Sequence, residues 1–247
     1  MSRLTRGATA TTTRCRARPD RSPADTRLAG RDAVTGDWLR IGGDGRPRCW
    51  WPGDDPLYVD YHDTEWARPV TDDVRLFEKI CLEGFQAGLA WITILRKREN
   101  FRAAFAGFDP RVVARFGPGD VDRLLGDAGI VRHRGKIEAA IGNAARVLEV
   151  IEEHGSLSRH VWSFAPDAPG GRDGESGHPS GIASVSPSAT ALSRDLKRRG
   201  FRFVGPTTMH AFMQSMGMVN EHLPGCHVHE ECESERAGVL ARVRSAG

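Results

Sequence analysis

Two cysteines and two histidines stand near opposite ends of the ordered-looking sequence in a pattern that could bind a metal. Cys49 is followed by His62, and HLPGC places His222 four residues before Cys226. Thiolate and imidazole are the ligands of closed tetrahedral zinc sites, and four of them leave no coordination position for water. A metal held this way would brace the chain rather than hydrolyse a substrate. The spacing is unlike a zinc finger, because the two halves lie about 160 residues apart; closing so long a loop would remove about 4 to 5 kcal/mol of unfolded-chain entropy. The alternative is four unrelated buried side chains, and His227, His229 and Cys232 in CHVHEEC are rival ligands.

The same region concentrates aromatic residues. CWWPGDDPLYVDYHDTEW, residues 49–66, holds three of the six tryptophans and both tyrosines of a chain that is only 7% aromatic. Trp51, Tyr58, Tyr61 and Trp66 surround His62 in sequence, so fixing that histidine would fix the rings beside it. Such rings offer faces on which a planar base can stack; core packing is the competing use. Farther on, CLEGFQAGLAWITIL contains Glu83 and Trp91. A carboxylate in so apolar a segment either faces solvent or serves a pocket. On one continuous helix the two would lie about 12 Å apart, so a single planar ligand meets both only if it bridges them or the helix distorts near Gly84 or Gly88.

LLGDAGIVRHRGKI carries a third kind of chemistry. Two helices joined by a glycine-bearing turn expose unpaired N–H groups at the start of the second, where an anion is favoured. Arg132, His133, Arg134, Gly135 and Lys136 surround that start. Phosphate binding follows, against the alternative of a solvated basic helix end. KRRGFRF, with Lys197, Arg198, Arg199 and Arg202, is a second basic cluster.

The elements that must position these groups are helical. Apolar or small residues fall at 77, 80, 81, 84, 87, 88, 91, 92 and 95, an i, i+3, i+4 series sustained over five turns. A short helix, a turn near Gly129 and a longer helix from about Arg134 follow. A further helix is stopped by Gly200, and Pro206 suits the first turn of the next. No strand ladder is evident, and the expected class is all-α.

Composition bounds the function. The net charge of +3 conceals a split: residues 1–40 carry nine arginines against four aspartates, so the remainder is slightly acidic and any attraction to nucleic acid must come from local clusters. Residues 1–45 have few large apolar side chains and read as a disordered Arg-rich extension. Pro166 to Ser188, dense in Gly, Pro and Ser, reads as a surface loop. Residues 46–230 form the folded domain and 231–247 a C-terminal tail. Five scattered cysteines, no secretory signal and no apolar run of about 20 residues favour a cytoplasmic chain with reduced thiols and no membrane span.

With these residues in view, the chain resembles the DNA-3-methyladenine glycosylase I family of the helix-hairpin-helix superfamily. The resemblance rests on RCWWPGDDPLYVDYHDTEW, TDDVRLFEKICLEGFQAGLAWITILRKRENFRAAFAGFDP, LLGDAGIVRHRGKIEAAIGNA, SRDLKRRGFRFVG and FMQSMGMVNEHLPGC. It implies two helical lobes with a base pocket between them, and one structural Zn2+ on Cys49, His62, His222 and Cys226 joining the N- and C-terminal segments. It implies that Glu83 hydrogen-bonds the excised base, that Trp91 stacks on it, and that Trp51, Tyr58, Tyr61 and Trp66 line the pocket. The implied activity is monofunctional: hydrolysis of the N-glycosidic bond of 3-methyladenine in double-stranded DNA, leaving an abasic site. A monomer without an obligate protein partner is the default. Trp50 stands where the family commonly has a small residue, and the arginine-rich front has no family counterpart.

Overall fold

A computed structural model describes residues 38–167 and 184–245. The first 37 residues, and with them most of the expected extension, lie outside the described residues, as does the centre of the loop expected at 166–188. The described residues form ten α-helices and one small antiparallel hairpin. The helical expectation holds. The hairpin corrects it: β1 (Leu39–Ile41) pairs with β2 (Pro47–Cys49), Leu39 opposite Cys49. Three-residue strands are too short for an alternating pattern to show. Arg48 fixes the hairpin, reaching Asp44 in its turn at 2.7 Å and Asp63 outside it at 2.7 Å. Ordered structure therefore starts before residue 46.

The core is organised around α2 (Asp73–Gln86), in which every residue from Leu76 to Phe85 is buried. A helix buried on all sides needs partners on all sides; α3 (Trp91–Ala104), α6 (Arg134–His154), α7 (Leu157–Trp162) and α9 (Pro206–Ser215) supply them. Asp72 caps α2, its carboxylate accepting from Arg75 N at 2.8 Å. Three charged residues, Glu78, Lys79 and Glu83, are buried within it. Buried charges persist only when paired, and their pairing builds the site.

The apolar series read as one helix over 77–95 is two. Helix α2 stops at Gln86, Gly88 takes φ +85°, and α3 starts at Trp91. The left-handed conformation at Gly88 ends the hydrogen-bond ladder although the hydrophobic period continues across it. α1 (Pro56–Thr64), capped by Asp55, packs on α3. After the short α4 (Pro110–Val113), α5 (Pro118–Gly126) and α6 form the expected helical pair. Their turn needs glycine at 129, where a Cβ would lie 3.1 Å from Asn100 Cβ. α8 (Pro187–Arg198) packs against α9.

Residues 231–245 are not a tail. They belong to α10 (His229–Ser245), which packs on α7 and buries Cys232, Arg236, Val239 and Leu240. Arg236 is 1% exposed and donates to Met218 O at 2.9 Å. Its burial is driven by those carbonyl and apolar contacts, which the charge-rich sequence conceals.

Candidate active site and metal centre

The hairpin, α1 and the segment after α9 bring the four predicted ligands together. The donor atoms of Cys49, His62, His222 and Cys226 lie within 4.8 Å of one another, all buried. Cys49 Sγ is 3.8 Å from His222 Nδ1; Cys226 Sγ is 3.6 Å from both His222 Nδ1 and His62 Nε2. Metal–sulfur bonds of about 2.3 Å and metal–nitrogen bonds of about 2.0 to 2.1 Å give tetrahedral edges of about 3.3 to 3.8 Å. The donor set thus fits a tetrahedral cation in both chemistry and size. His62 Nδ1 faces Asp63 Oδ1 at 2.8 Å and His222 Nε2 faces Trp66 O at 3.1 Å, contacts that fix each ring's tautomer and orientation. Burial pushes the Asp63 carboxyl up, but Arg48, His62 and His227 outweigh it and hold it at about 2. The sulfurs are electrostatically linked: Cys49, with the two histidines, draws Cys226 far below the ordinary thiol range, while Cys226 and burial push Cys49 far above it. The rival ligands are elsewhere: His227 faces Asp63 at 3.1 Å, and His229 Nδ1 meets the His222 carbonyl at 2.8 Å.

Packed on this cluster is an aromatic cage. Trp66 lies 4.6 Å from His222 between ring centroids, and Trp51 is 5.2 Å from His62. Trp51 meets Tyr58 at 4.9 Å and Trp66 at 5.0 Å, both edge to face. These rings and Trp91 wall a cavity of about 270 Å³ whose only carboxylate is Glu83. That volume suits a small planar ligand. The break at Gly88 is what lets Glu83 of α2 and Trp91 of α3 border one space.

The site's electrostatics turn on Lys79, which the sequence reading did not single out. Its ammonium lies 3.0 Å from Glu83 Oε1, donates to Tyr61 Oη at 3.0 Å, and sits 3.3 Å from the Trp91 ring centroid. Both members of the pair are 5% exposed. Burial pushes the Glu83 carboxyl above its ordinary range, and Lys79 opposes that rise. Burial likewise lowers Lys79, with Glu83 opposing. Tyr58 is pushed up to about 12 by burial and then by Glu83, so its hydroxyl remains a donor at any physiological pH. Trp51 Nε1 and Trp91 Nε1 are buried donors without a hydrogen-bond partner among the described residues, and both rings line the cavity.

A profile of the methyladenine glycosylase family matches residues 51–229. The chain belongs to that family. It is 51% identical to DNA-3-methyladenine glycosylase 1 of Escherichia coli (strain K12), over 72% of this chain and 95% of the relative. It is also similar to a crystal structure of 3-methyladenine DNA glycosylase I, with TM-score 0.68 and 49% identity over 74% of this chain and 99% of the other. A Staphylococcus aureus 3-methyladenine DNA glycosylase I, solved for the basis of its 3-methyladenine recognition, gives TM-score 0.66 and 39% identity over 71% and 92%.

The basic helix end of this family member divides. Arg132 is exposed, and Arg134, 56% exposed, touches only surface carboxylates, Asp122 and Glu138. Lys136 turns inward: its ammonium donates to Phe85 O at 2.9 Å and Ala87 O at 2.7 Å, tying the start of α6 to the end of α2. His133 caps α6, with Nδ1 accepting from Lys136 N at 3.2 Å. The far wall of the cavity also lay outside the sequence reading. Ala211, Gln214 and Ser215 of α9 form it. Gln214 Nε2 donates to the buried carboxylate of Glu221, whose other oxygen lies 3.2 Å from His210 Nε2. His210 Nδ1 is 3.2 Å from Ser186 Oγ. Gln214 follows Ala211 by three residues on a helix, a face repeat that could have drawn attention to this wall.

Proposed function

We propose that this family member excises 3-methyladenine from alkylated double-stranded DNA by hydrolysing the N-glycosidic bond, leaving an abasic site. The observation that carries the reading is one buried carboxylate, Glu83, set in a cavity walled mainly by aromatic rings, with Gln86 and residues of α9 completing it. Methylation at N3 gives the adenine a positive charge and makes it a good leaving group without prior protonation. The protein therefore needs to select and hold the damaged base more than to supply an acid. The nucleotide is flipped out of the duplex at a cost of a few kcal/mol and stacked against Trp91, with Trp51, Tyr58, Tyr61 and Trp66 around it. Glu83 accepts hydrogen bonds from the base, and the unpaired indole N–H of Trp51 is available to its ring nitrogens. Water captures the sugar cation as the base departs neutral. Lys79 is spent on Glu83 and Tyr61 behind the cavity wall, and among the described residues no lysine lines the cavity, which supports base release without strand cleavage.

Arg132, Arg134 and the backbone at Gly135 grip phosphates at the start of α6, in a helix-hairpin-helix arrangement with α5; the base pocket lies between two helical lobes. Cys49, His62, His222 and Cys226 would hold one structural zinc, and four protein ligands would leave it no position for catalysis. The folded domain acts as a monomer in the cytoplasm; no described helix is long and apolar enough to cross a membrane.

Incubation with methylated DNA followed by chromatography of released bases tests the activity. Free 3-methyladenine is expected, with much less from Glu83→Gln at unchanged metal content and helicity. No released base, or full turnover by that variant, overturns the reading.

A further inference from the structure

Each carboxylate of the charged layer beneath the cavity, half-buried or buried, has its own cation. Glu65 pairs with Arg98, the nearer oxygen 2.5 Å away, and Glu78 pairs with Arg102 at 2.9 Å. Glu83 has only Lys79. The ammonium binds one carboxylate oxygen, Oε1, and leaves the other lone pairs of Glu83 for the cavity. Lys79 itself is absent from the cavity wall, whereas Tyr61 and Trp91 border both the cavity and the charged layer that contains Lys79. Lys79 thus touches three groups that meet the base without meeting the base itself.

We propose that Lys79 is a positioning residue for base excision: through its contacts with Glu83, Tyr61 and Trp91 it keeps the Glu83 carboxylate ionised and aimed at the base, and it favours departure of the base in neutral form. The inference rests on the role of Glu83 given above and deepens it. A carboxylate this dry would otherwise hold its proton, since burial penalises the ion. The other charged or titratable groups around the pair are Tyr58 and Tyr61 of α1, Glu65 after α1, Arg75 and Glu78 of α2, Arg98 and Arg102 of α3, and Glu221 behind Gln214; no ion pair joins any of them to Glu83. A second consequence concerns Trp91. With an ammonium 3.3 Å from its centroid, the ring's negative quadrupole is already engaged. The stacked base is then held less as a cation than as the neutral purine it becomes once positive charge moves to the sugar. Binding that strengthens along the reaction path accelerates it.

The test is Lys79→Met, close in volume, in single-turnover excision from methylated duplex at several pH values. The sign follows from the loss of the counter-charge: the Glu83 carboxyl rises, the ionised form appears only at higher pH, and the acid limb of the rate moves up by about one unit or more. At a pH on the shifted limb the rate should fall about tenfold for each unit of that displacement, and recover as pH is raised. Lys79→Arg should keep the wild-type profile. In a Glu83→Gln background, Lys79→Met should cost little more, because the pair acts as a unit. An unmoved pH profile, or full additivity of the two substitutions, overturns the proposal while leaving the role of Glu83 intact. Full activity of Glu83→Gln alone instead removes the reading on which it rests. Should Lys79→Met not fold, Lys79→Gln and Lys79→Arg give the same comparison.

Discussion

Replacing Cys226 with serine removes one of the four clasp ligands at almost constant volume. Cys226 is 164 residues from His62, and Cys49 is 173 residues from His222. By the logarithmic law, closing a loop of that length removes about 4.5 kcal/mol of entropy from the unfolded chain. For a domain of this size each kcal/mol moves the unfolding midpoint by about 2 to 4 °C, so full release of the clasp should lower it by roughly 10 to 18 °C. Elemental analysis should show one zinc per wild-type chain and a large loss in Cys226→Ser. Thermal unfolding followed by circular dichroism should place chelator-treated wild type near the variant, and the variant should respond little to chelator. Tyr61 and Trp66 pack in the same apolar cluster as Cys49 and Cys226, so affinity for free 3-methyladenine should fall with the metal. The reasoning fails if Cys226→Ser keeps a full equivalent of metal, or if it loses the metal and still melts within about 2 °C of wild type.

Three further outcomes are expected. Trp91→Ala should weaken binding of free 3-methyladenine by about 1 to 3 kcal/mol in a fluorescence titration, the usual worth of a stacking ring. Arg132→Ala should lower duplex affinity irrespective of sequence and reduce the log–log salt slope by about 0.9, whereas Lys136→Ala should leave that slope unchanged and cost about 1 to 3 kcal/mol of stability, because two carbonyls lose a charged donor. Glu221→Gln should weaken base binding several-fold without altering duplex affinity, since Gln214 then loses the carboxylate that orients its amide; equal effects on both would locate the damage in the fold, not the cavity wall.

Cys49, His62, His222 and Cys226 were legible as candidate metal ligands because thiols and imidazoles are chemically restricted, but residue types alone did not separate them from His227, His229 and Cys232; the family resemblance did, and the structure brings the four donor atoms together. The aromatic cage was legible for a similar reason, through its concentration beside His62. Lys79 was not, because a lysine four residues before a glutamate on a helix reads as a solvent-facing pair, and only the burial of α2 on every side reverses that meaning. Nor was the break between α2 and α3, since periodicity reports which face is apolar and not where one glycine turns the chain. Lys136 showed the opposite error: its basic neighbours advertised phosphate contact, while the carbonyls of Phe85 and Ala87 claim its charge. Helix α10 was hidden by a charge-rich sequence in which Arg236 is buried against main-chain oxygens and paired with Glu233.

The inward turn of Lys136 couples two tasks mechanically. The start of α6, where Arg132 and Arg134 stand, is bolted through that ammonium to the end of α2, and α2 carries Lys79 and Glu83 less than two turns upstream. On the proposed reading, grip on the strand and the floor of the cavity are therefore joined through one ammonium. A frame joined in this way would leave the distortion needed for base flipping to the nucleic acid, where unstacking costs least at a damaged base.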